Sequence, residues 1–299
     1  MSLTVIILTY NEEKHIERSI LSVKPFADNI FVIDSFSTDK TVDIASKNGA
    51  QVFQNPWVDH ATQVNWAIKN CNIITDWIMR LDADEIVTPD LANEINHKLK
   101  SLSQDITGIN LKRRVYFMGN WVRYGGYYPT WLLRIWRNGH GICEQRIMDE
   151  HIKLLQGKCI NFRYDFIDEN LNGLSWWTEK HNGYATKEAF ELLNHIYNLQ
   201  QHDELVTPRI YGSQAERKRW LKYRYAKMPL FVRPFIYFLY RYIFRLGFLD
   251  GRKGLIWHFL QGFWYRFLVD AKIYDIYRRA GKQKENIIAC LKDDYGMKI

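Results

Sequence analysis

Two kinds of apolar pattern alternate along the N-terminal third of the chain. Short runs of apolar, largely β-branched residues predict strands, and longer runs in which apolar residues recur every three or four positions predict helices. The predicted strands cover residues 3–9, 29–34, 51–54 and 76–81. The predicted helices begin near Asn11, Thr38, Ala61 and Thr88. This alternation indicates an α/β fold, in which a mostly parallel sheet is flanked by helices.

Polar residues follow three of these strands. They are Thr9, Tyr10, Asn11 and Glu12 after the first strand, Asp34 at the end of the second, and Asp82, Ala83 and Asp84 after the fourth. The carboxyl ends of parallel strands meet at one edge of a sheet, where ligands bind in folds of this class. The first glycine is Gly49, so no glycine-rich loop follows the first strand to wrap a pyrophosphate. We therefore predict a ligand site at this edge that holds a phosphate in another way.

The carboxylates of Asp82 and Asp84 suggest that a metal ion holds the phosphate. On an extended strand these two side chains project to the same face, because successive residues point to opposite faces. Hard oxygen ligands suit Mg²⁺ or Mn²⁺, and such ions keep positions that substrate phosphates fill. The competing interpretation is an acidic loop at a strand end. Asp34 would accept hydrogen bonds from a base or ribose, or would simply cap its strand end.

The middle of the chain offers candidates for a catalytic base. A strand is predicted at residues 110–118 and a helix at 176–193, and Arg134 lies between them. A second acidic cluster contains Asp149 and Glu150. Either carboxylate could act as a general base, and the alternative for each is a solvated acidic turn.

Composition narrows the class of protein. A chain of 299 residues with 47% apolar content can bury a sizeable core. Its four cysteines form no C-x-x-C pair, so neither a zinc site nor a disulfide framework is expected, and a reducing compartment fits. The apolar run at 3–8 is interpreted as a strand and not as a signal peptide.

Charge divides the chain into two parts. Residues 1–205 carry 21 Lys/Arg and 26 Asp/Glu, a net −5, whereas residues 206–299 carry 20 and 7, a net +13. We therefore predict a catalytic domain at 1–205 and a basic helical region at 206–299. A basic region of this kind implies an anionic partner, either nucleic acid or a membrane surface.

The residues of the basic region favour the membrane. Its helices mix the cations Lys227, Arg233, Arg241 and Arg245 with apolar residues that include Phe235, Phe238, Phe263 and Trp264. The four cations fall on one side of a helical wheel. Because they interrupt the apolar sequence, no apolar stretch is long enough to span a bilayer. Aromatic residues mixed with Leu and Ile at helical spacing suit acyl chains better than bases, so no nucleic acid is expected. Ordinary core packing is the alternative.

The motifs Leu8-Thr9-Tyr10-Asn11-Glu12-Glu13, Val32-Ile33-Asp34-Ser35 and Leu81-Asp82-Ala83-Asp84-Glu85 together resemble those of the family 2 inverting glycosyltransferases with the GT-A fold. The chain is similar in particular to the bacterial branch of lipopolysaccharide inner-core β-1,4-glucosyltransferases, over roughly residues 1–195.

The resemblance implies a role for each candidate. Thr9, Tyr10 and Asp34 would hold the nucleoside, with Asn11, Glu12, Ala83 and Arg134 completing the nucleotide-sugar site, Asp82 and Asp84 holding metal and diphosphate, and Asp149 or Glu150 serving as base. Processive members carry Gln-x-x-Arg-Trp, whereas here the Arg-Trp pair after Gln214 comes two residues late. A single sugar addition is therefore expected.

The combined hypothesis is a metal-dependent inverting glycosyltransferase. It would move a sugar from a nucleotide-diphosphate donor, a UDP-sugar, to a lipid-linked or lipopolysaccharide-core acceptor at the cytoplasmic face of the bacterial inner membrane. Two alternatives stay open. One is a sugar-phosphate nucleotidyltransferase of similar fold, and the other is a non-catalytic adaptor that binds a membrane or nucleic acid through the basic region.

Overall fold

The computed structural model of the protein describes residues 2–145, 150–199, 208–212 and 214–296. The chain forms two compact units. The first comprises residues 2–122, Tyr127–Gln145 and Glu150–Leu171, and the second comprises Arg123–Gly126 together with the chain from Asn172 onward. The predicted boundary at residue 205 lies outside the described residues. The observed division comes earlier, so the predicted helix at 176–193 belongs to the second unit.

The first unit contains all the strands and four helices of the described chain. Its strands are β1 (Leu3–Thr9), β2 (Asn29–Asp34), β3 (Gln51–Gln54), β4 (Trp77–Asp82), β5 (Glu85–Val87), β6 (Ile106–Phe117), β7 (Asn120–Trp121), β8 (Thr130–Arg137), β9 (Gly141–Cys143), β10 (Ile152–Leu154) and β11 (Lys158–Glu169). Its helices are α1 (Ile16–Val23), α2 (Thr41–Lys47), α3 (His60–Asn70) and α4 (Pro89–Lys98).

Most of these strands form one sheet, in the order β3-β2-β1-β4-β8-β6-β11-β5 with β7 beside β6. The strands β1 to β4 are parallel to one another, as predicted. Beyond them the sheet is mixed, because β8 runs antiparallel to both β4 and β6. The predicted α/β class is therefore confirmed, with a parallel half that carries the predicted strand ends.

Alternating residues of β1 enter two different cores. Val5 and Ile7 pack with α1, α2 and α4 on one face of the sheet, whereas Ile6 and Leu8 pack with α3 on the other. Every residue of the strand is buried. Burial on both faces explains why β1 reads as a continuous apolar run and not as an alternation of apolar and polar residues.

Local details differ from the predictions in two places. The first helix begins at Ile16 and not at Asn11, because residues 10–15 form a loop. The strand β4 ends at Asp82, and Ala83 and Asp84 form a turn before β5. The argument that Asp82 and Asp84 share one face of an extended strand is therefore wrong.

The second unit is helical. Its helices are α5 (Leu174–Tyr197), α6 (Gln214–Ala226), α7 (Val232–Leu239), α8 (Gly251–Trp257), α9 (Tyr265–Ala280) and α10 (Lys284–Asp293). A π-helical turn, Tyr240–Phe244, continues α7, and a second, His258–Trp264, joins α8 to α9. The core lies between α5, α9 and α10, around residues such as Phe190, Ile273 and Leu291.

The predicted membrane cations do not share one environment. Lys227 and Arg245 are exposed, whereas Arg233 is 1% exposed and forms an ion pair with Asp270, Nη2 to Oδ1 at 2.6 Å. Arg241 is half-buried and donates to the Tyr237 hydroxyl and to a backbone carbonyl. The prediction of a single cationic stripe is therefore wrong for Arg233, because the segment departs from one straight α-helix.

The aromatic residues of the predicted membrane surface also differ in exposure. Phe235 is 52% exposed, whereas Phe238, Phe263 and Trp264 are half-buried. The rings of Phe235 and Phe263 lie 4.6 Å apart, and Trp264 packs against the core of the second unit. In the described residues, no helix combines the length and the apolar character that crossing a bilayer requires.

Candidate functional site

The three predicted strand ends lie side by side in the first unit. Thr9 at the end of β1 is aligned with Asp34 at the end of β2, and Leu8 is aligned with Asp82 at the end of β4. This is the arrangement that the sequence predicts, and it follows from the parallel pairing of β1 with both neighbours.

Asp34 is fully buried and serves the structure around it. Its Oδ1 accepts a hydrogen bond from the Thr9 hydroxyl at 3.0 Å, and its Oδ2 accepts from the Ser37 amide at 2.8 Å. Both oxygens are thus engaged by the protein. Asp34 positions the ends of β1 and β2, and the surface that a base or ribose would meet is formed by the residues around it.

The loop after β1 is organised by side chains in place of glycines. Asn11 adopts a left-handed conformation with φ 55°, and its Oδ1 accepts from the Thr38 amide at 2.8 Å. Glu12 accepts from His15 Nδ1 at 2.6 Å, while His15 Nε2 accepts from the Leu171 amide at 2.8 Å. Since Nε2 accepts, the proton lies on Nδ1 and the imidazole is neutral. Tyr10, in contrast, is 58% exposed at the mouth of this loop.

Asp82 lies beside two arginines and a histidine. Its carboxylate lies 3.0 Å from Arg80 Nη2 and 3.4 Å from both Arg134 Nη2 and His60 Nε2. Burial alone would raise the pKa of Asp82, but the two guanidinium groups hold it well below its usual range. Asp82 is therefore an ionised carboxylate whose charge the protein already balances.

Glu85 completes this cluster from the far side of the turn. Arg134, which is 3% exposed, forms an ion pair with Glu85, and a Glu85 oxygen accepts the Asp82 amide at 3.0 Å. Burial raises the pKa of Glu85 to about 8, against the opposing effect of Arg134. The structure thus places Arg134 beside Asp82, with the Arg134 side chain 4% exposed and the Asp82 side chain 34% exposed.

Asp84 stands apart from that cluster in the turn after β4. Its carboxylate accepts from Asn170 Nδ2 at 3.0 Å, and its carbonyl accepts from the Glu169 amide at 3.1 Å. The side chain is partly exposed. Ala83 beside it is 3% exposed and packs in the core, and its place in the nucleotide-sugar site stays a prediction.

A further carboxylate, Asp168 on β11, lies near this turn. Its closest cation is Arg113, Nη1 to Oδ2 at 3.2 Å. Burial raises the pKa of Asp168 to about 6, and the negative charges of Asp84 and Asp82 act in the same direction. The carboxylates of Asp84 and Asp168 therefore repel one another when both are ionised.

Of the two base candidates, only Glu150 is among the described residues, and Asp149 lies outside them. Glu150 is half-buried and lies near Cys143 at the end of β9. Burial raises the pKa of Cys143 to about 12, with Arg80 opposing and Glu150 adding to the shift.

The donor set fits a divalent ion of limited protein coordination. The described residues contain no group of three or more His, Cys, Asp or Glu side chains arranged to hold a metal ion by themselves. Asp82 is balanced by arginines, which leaves the partly exposed Asp84 as the available hard oxygen ligand. Mg²⁺ is commonly bound by one or two carboxylates together with substrate phosphates and water, so this set is sufficient.

Sequence reasoning missed several residues of the site. His60, Arg80, Asp168 and Asn170 carry no motif of their own and reach the site from α3, β4 and β11. Arg80 could have been found, because it lies two residues before Asp82 on the same strand and so on the same face. The other three come from distant sequence positions, and no local pattern marks them.

Several curated relatives of the chain are described as glycosyltransferases. An uncharacterized glycosyltransferase of Rickettsia bellii is 44% identical over 103 residues, which are 34% of this chain and 34% of the relative. Glycosyltransferase SunS of Bacillus subtilis, described as prophage-derived, is 30% identical over 107 residues, 31% of this chain and 22% of that protein. The chain thus matches about a third or less of the length of these relatives.

Among solved structures, a similar one is glucosyl-3-phosphoglycerate synthase from Mycobacterium tuberculosis in complex with Mn²⁺, UDP and glucosyl-3-phosphoglycerate. Its identity to this chain is 23% with a TM-score of 0.31, over 38% of this chain and 44% of that one. The family model described as Glycosyl transferase family 2 matches residues 4–171, which include every strand and helix of the first unit. Because this match covers more than half of the 299 residues, the chain belongs to glycosyl transferase family 2.

Proposed function

We propose that the protein is a metal-dependent inverting glycosyltransferase that transfers one sugar from a UDP-sugar to a hydroxyl group of a lipid-linked or lipopolysaccharide-core saccharide. The observation that carries the proposal is the difference between the two motif aspartates. Both side chains are partly exposed at the strand-end edge, but Asp82 is neutralised by Arg80 and Arg134, whereas Asp84 is held in place by the uncharged amide of Asn170. One carboxylate thus builds the site and the other is available to a ligand.

Each residue of the site has its own role in the proposed reaction. Asp84 would hold the Mg²⁺ or Mn²⁺ ion, which when bound neutralises the diphosphate leaving group. Asn170 and the turn hydrogen bonds orient Asp84. Tyr10, exposed beside the strand ends, offers a flat surface to the uracil base. Glu150 accepts the proton of the acceptor hydroxyl as that oxygen attacks the anomeric carbon, and the bond to the diphosphate breaks on the opposite side.

Two observations weigh against the alternative functions. A nucleotidyltransferase needs a glycine-rich basic loop after the first strand, and here that loop is built from side-chain hydrogen bonds of Asn11 and Glu12. An adaptor has no need for a motif that keeps one carboxylate ionised between two arginines.

The donor site is tested by isothermal titration with UDP and Mn²⁺. The wild-type chain should bind UDP in a Mn²⁺-dependent way, and Asp84→Ala should lose this binding while remaining folded by circular dichroism. Asp43→Ala removes an exposed carboxylate of α2 and is the matched control. Unchanged affinity and unchanged response to a chelator in Asp84→Ala would show that the ion is held elsewhere.

We propose separately that the second unit attaches the protein to the cytoplasmic face of a membrane. Apolar side chains from 37% to 77% exposed recur from the start of α7 to the second π-helical turn, His258–Trp264. They are Val232, Phe235, Ile236, Leu239, Tyr240, Ile243, Phe244, Phe248, Leu249, Leu255, Ile256 and Phe259. Those from Val232 to Phe244 repeat at three- and four-residue spacing, which keeps them on one side of the segment. A surface with this many exposed apolar side chains is typical of an interaction site.

Exposed cations accompany this apolar surface. Arg245, Arg252 and Lys253 are exposed, and each would contribute about 1 kcal/mol near anionic lipid. Burying the exposed half of a Phe or Leu side chain contributes roughly 1 kcal/mol. Several such side chains together outweigh the three cations, so we expect attachment that is weakened but not abolished by high salt.

Liposome flotation tests this second proposal. The full chain should float with vesicles containing anionic lipid, and Phe244→Glu combined with Leu249→Glu should abolish flotation. Ile74→Glu is the matched control, because Ile74 is 83% exposed and lies in the first unit. Flotation of the double variant equal to that of the wild type would refute the assignment of this surface.

A further inference from the structure

A polar groove runs beside α3 in the first unit, outside the strand-end site. Its volume is about 440 Å³, and it is lined by Thr62, Asn65, Trp66, Lys69, Asn70 and Gln145. The five lining residues of α3 follow the three- and four-residue spacing of one helix face. Gln145 supplies the opposite wall, just beyond β9.

The lining has the chemistry of a saccharide site. An indole ring offers an aromatic face to the C–H side of a sugar ring, and amides, a hydroxyl and an ammonium group match the hydroxyls at its edge. The lining contains no carboxylate and no aliphatic side chain. It therefore suits neither a metal ion nor an apolar ligand.

The walls of the groove are fixed by internal hydrogen bonds. Asn65 Nδ2 donates to the Cys143 carbonyl and Asn65 Oδ1 accepts from the Cys143 amide, both at 2.9 Å, which fastens α3 to β9. Asn70 Nδ2 donates to the Trp66 carbonyl at 2.8 Å. Gln145, in contrast, is exposed, and its side-chain amide lies 3.5 Å from the Thr62 hydroxyl. The groove is thus preorganised, with a side-chain amide that a ligand can recruit.

The groove begins close to the strand-end site and leads away from it. The first residue of α3 is His60, whose Nε2 lies 3.4 Å from Asp82. From His60 to Asn70 the helix rises about 15 Å, enough to follow a chain of several sugar rings.

A second groove in the first unit lacks these features. It is lined in part by Glu94, His97 and Lys98. The carboxylate of Glu94 there accepts the backbone amides of Arg163 and Tyr164, each at 3.0 Å, and pairs with Lys98. Its polar groups thus serve the fold, whereas Lys69 and Gln145 of the α3 groove are exposed.

From these observations we infer that the α3 groove binds the saccharide part of the acceptor, beyond the sugar residue that is modified. This inference rests on the proposed transfer to a saccharide acceptor, and it assigns the surface that recognises that acceptor. The groove selects acceptors longer than one residue, through stacking on Trp66 and hydrogen bonds to Lys69 and Gln145.

The test measures saccharide binding to the full chain by calorimetry without donor. The probe is the lipid-free core oligosaccharide released from bacterial lipopolysaccharide, and maltotriose is the unrelated saccharide. Gln145→Ala and Lys69→Ala should each weaken core oligosaccharide binding about 3- to 10-fold, the loss of one hydrogen bond. Trp66→Leu keeps a side chain that packs on the core but removes the aromatic face, and should weaken binding further. Lys47→Ala, on α2, is the matched control.

UDP affinity, measured in parallel, separates this inference from the proposed function. The inference is supported when the three groove variants lose oligosaccharide affinity, retain UDP affinity and unfold at the wild-type midpoint. Groove variants that bind the oligosaccharide as the wild type does, or a wild-type chain that binds neither saccharide, would overturn it. If the chain binds no UDP, the transfer proposal fails, while the loss of oligosaccharide binding in the variants still establishes the groove as a saccharide site.

Discussion

The ion pair between Arg233 and Asp270 allows the placement of a predicted membrane residue to be tested directly. Arg233 Nε and Nη2 donate to Asp270 Oδ1 at 2.8 and 2.6 Å. Asp270 Oδ2 accepts the Phe231 amide at 2.8 Å, and Arg233 Nη1 donates to the Ala226 carbonyl at 2.9 Å. Arg233 is 1% exposed and Asp270 0%. The pair therefore joins the start of α7 to α9 inside the second unit.

Removing one partner leaves the other as an uncompensated buried charge. Arg233→Met should therefore lower the free energy of unfolding by about 3–5 kcal/mol, and Asp270→Leu by a similar amount. The double variant removes both charges and leaves the Phe231 amide and the Ala226 carbonyl without these partners, at about 1–3 kcal/mol each. Its loss should fall well below the sum of the single losses.

Guanidinium unfolding followed by circular dichroism measures these three losses, and flotation with anionic vesicles measures membrane binding of the same variants. The buried placement predicts a large loss of stability, and undiminished flotation of whatever fraction remains folded. A fully stable Arg233→Met chain that no longer floats would refute this reasoning and return Arg233 to the lipid-facing surface.

Three other predictions concern the first unit and the loop beside His258. Burial raises the pKa of Asp168 from 3.8 to about 6. At Asp168 the folded chain therefore binds more protons than the unfolded chain between these values, so this carboxylate lowers the stability as the pH rises from about 4 to about 6. In melts at both pH values with a chelator present, the fall should be smaller for Asp168→Asn than for the wild type, and Glu85, whose pKa is also raised, accounts for part of what remains. Glu150→Gln should lower kcat about 10²- to 10⁴-fold and leave UDP affinity unchanged, whereas near-normal turnover would exclude Glu150 as the base. Gly125 and Gly119 have nearly equal φ values of +69° and +70°. A Cβ atom at Gly125 would overlap the His258 ring, whereas a Cβ atom at Gly119 would meet no neighbouring atom. Gly125→Ala should therefore lower the melting temperature clearly more than Gly119→Ala, and equal shifts would contradict the described packing.

Much of the first unit follows from the sequence alone. The strands at 3–9, 29–34 and 51–54 have the predicted bounds. The first two are continuous apolar, largely β-branched runs, which identify buried parallel strands. Thr88 was predicted as the start of α4, and its hydroxyl indeed accepts the Leu91 amide. These features depend on neighbours in sequence. The meeting of three strand ends also follows, since parallel pairing leaves their carboxyl ends at one edge.

Only the tertiary structure decided how the two motif aspartates differ. Asp82 and Asp84 are equivalent in the sequence, but Arg134 and His60 reach one of them and Asn170 reaches the other from β8, α3 and the end of β11. Sequence periodicity carries no information about contacts across such separations. The same limit explains the error at Arg233, whose wheel position indicated an exposed cation. The turn before α7 and the π-helical turn after it change which side faces the core, and Asp270 on a distant helix supplies the buried partner that makes the charge tolerable there.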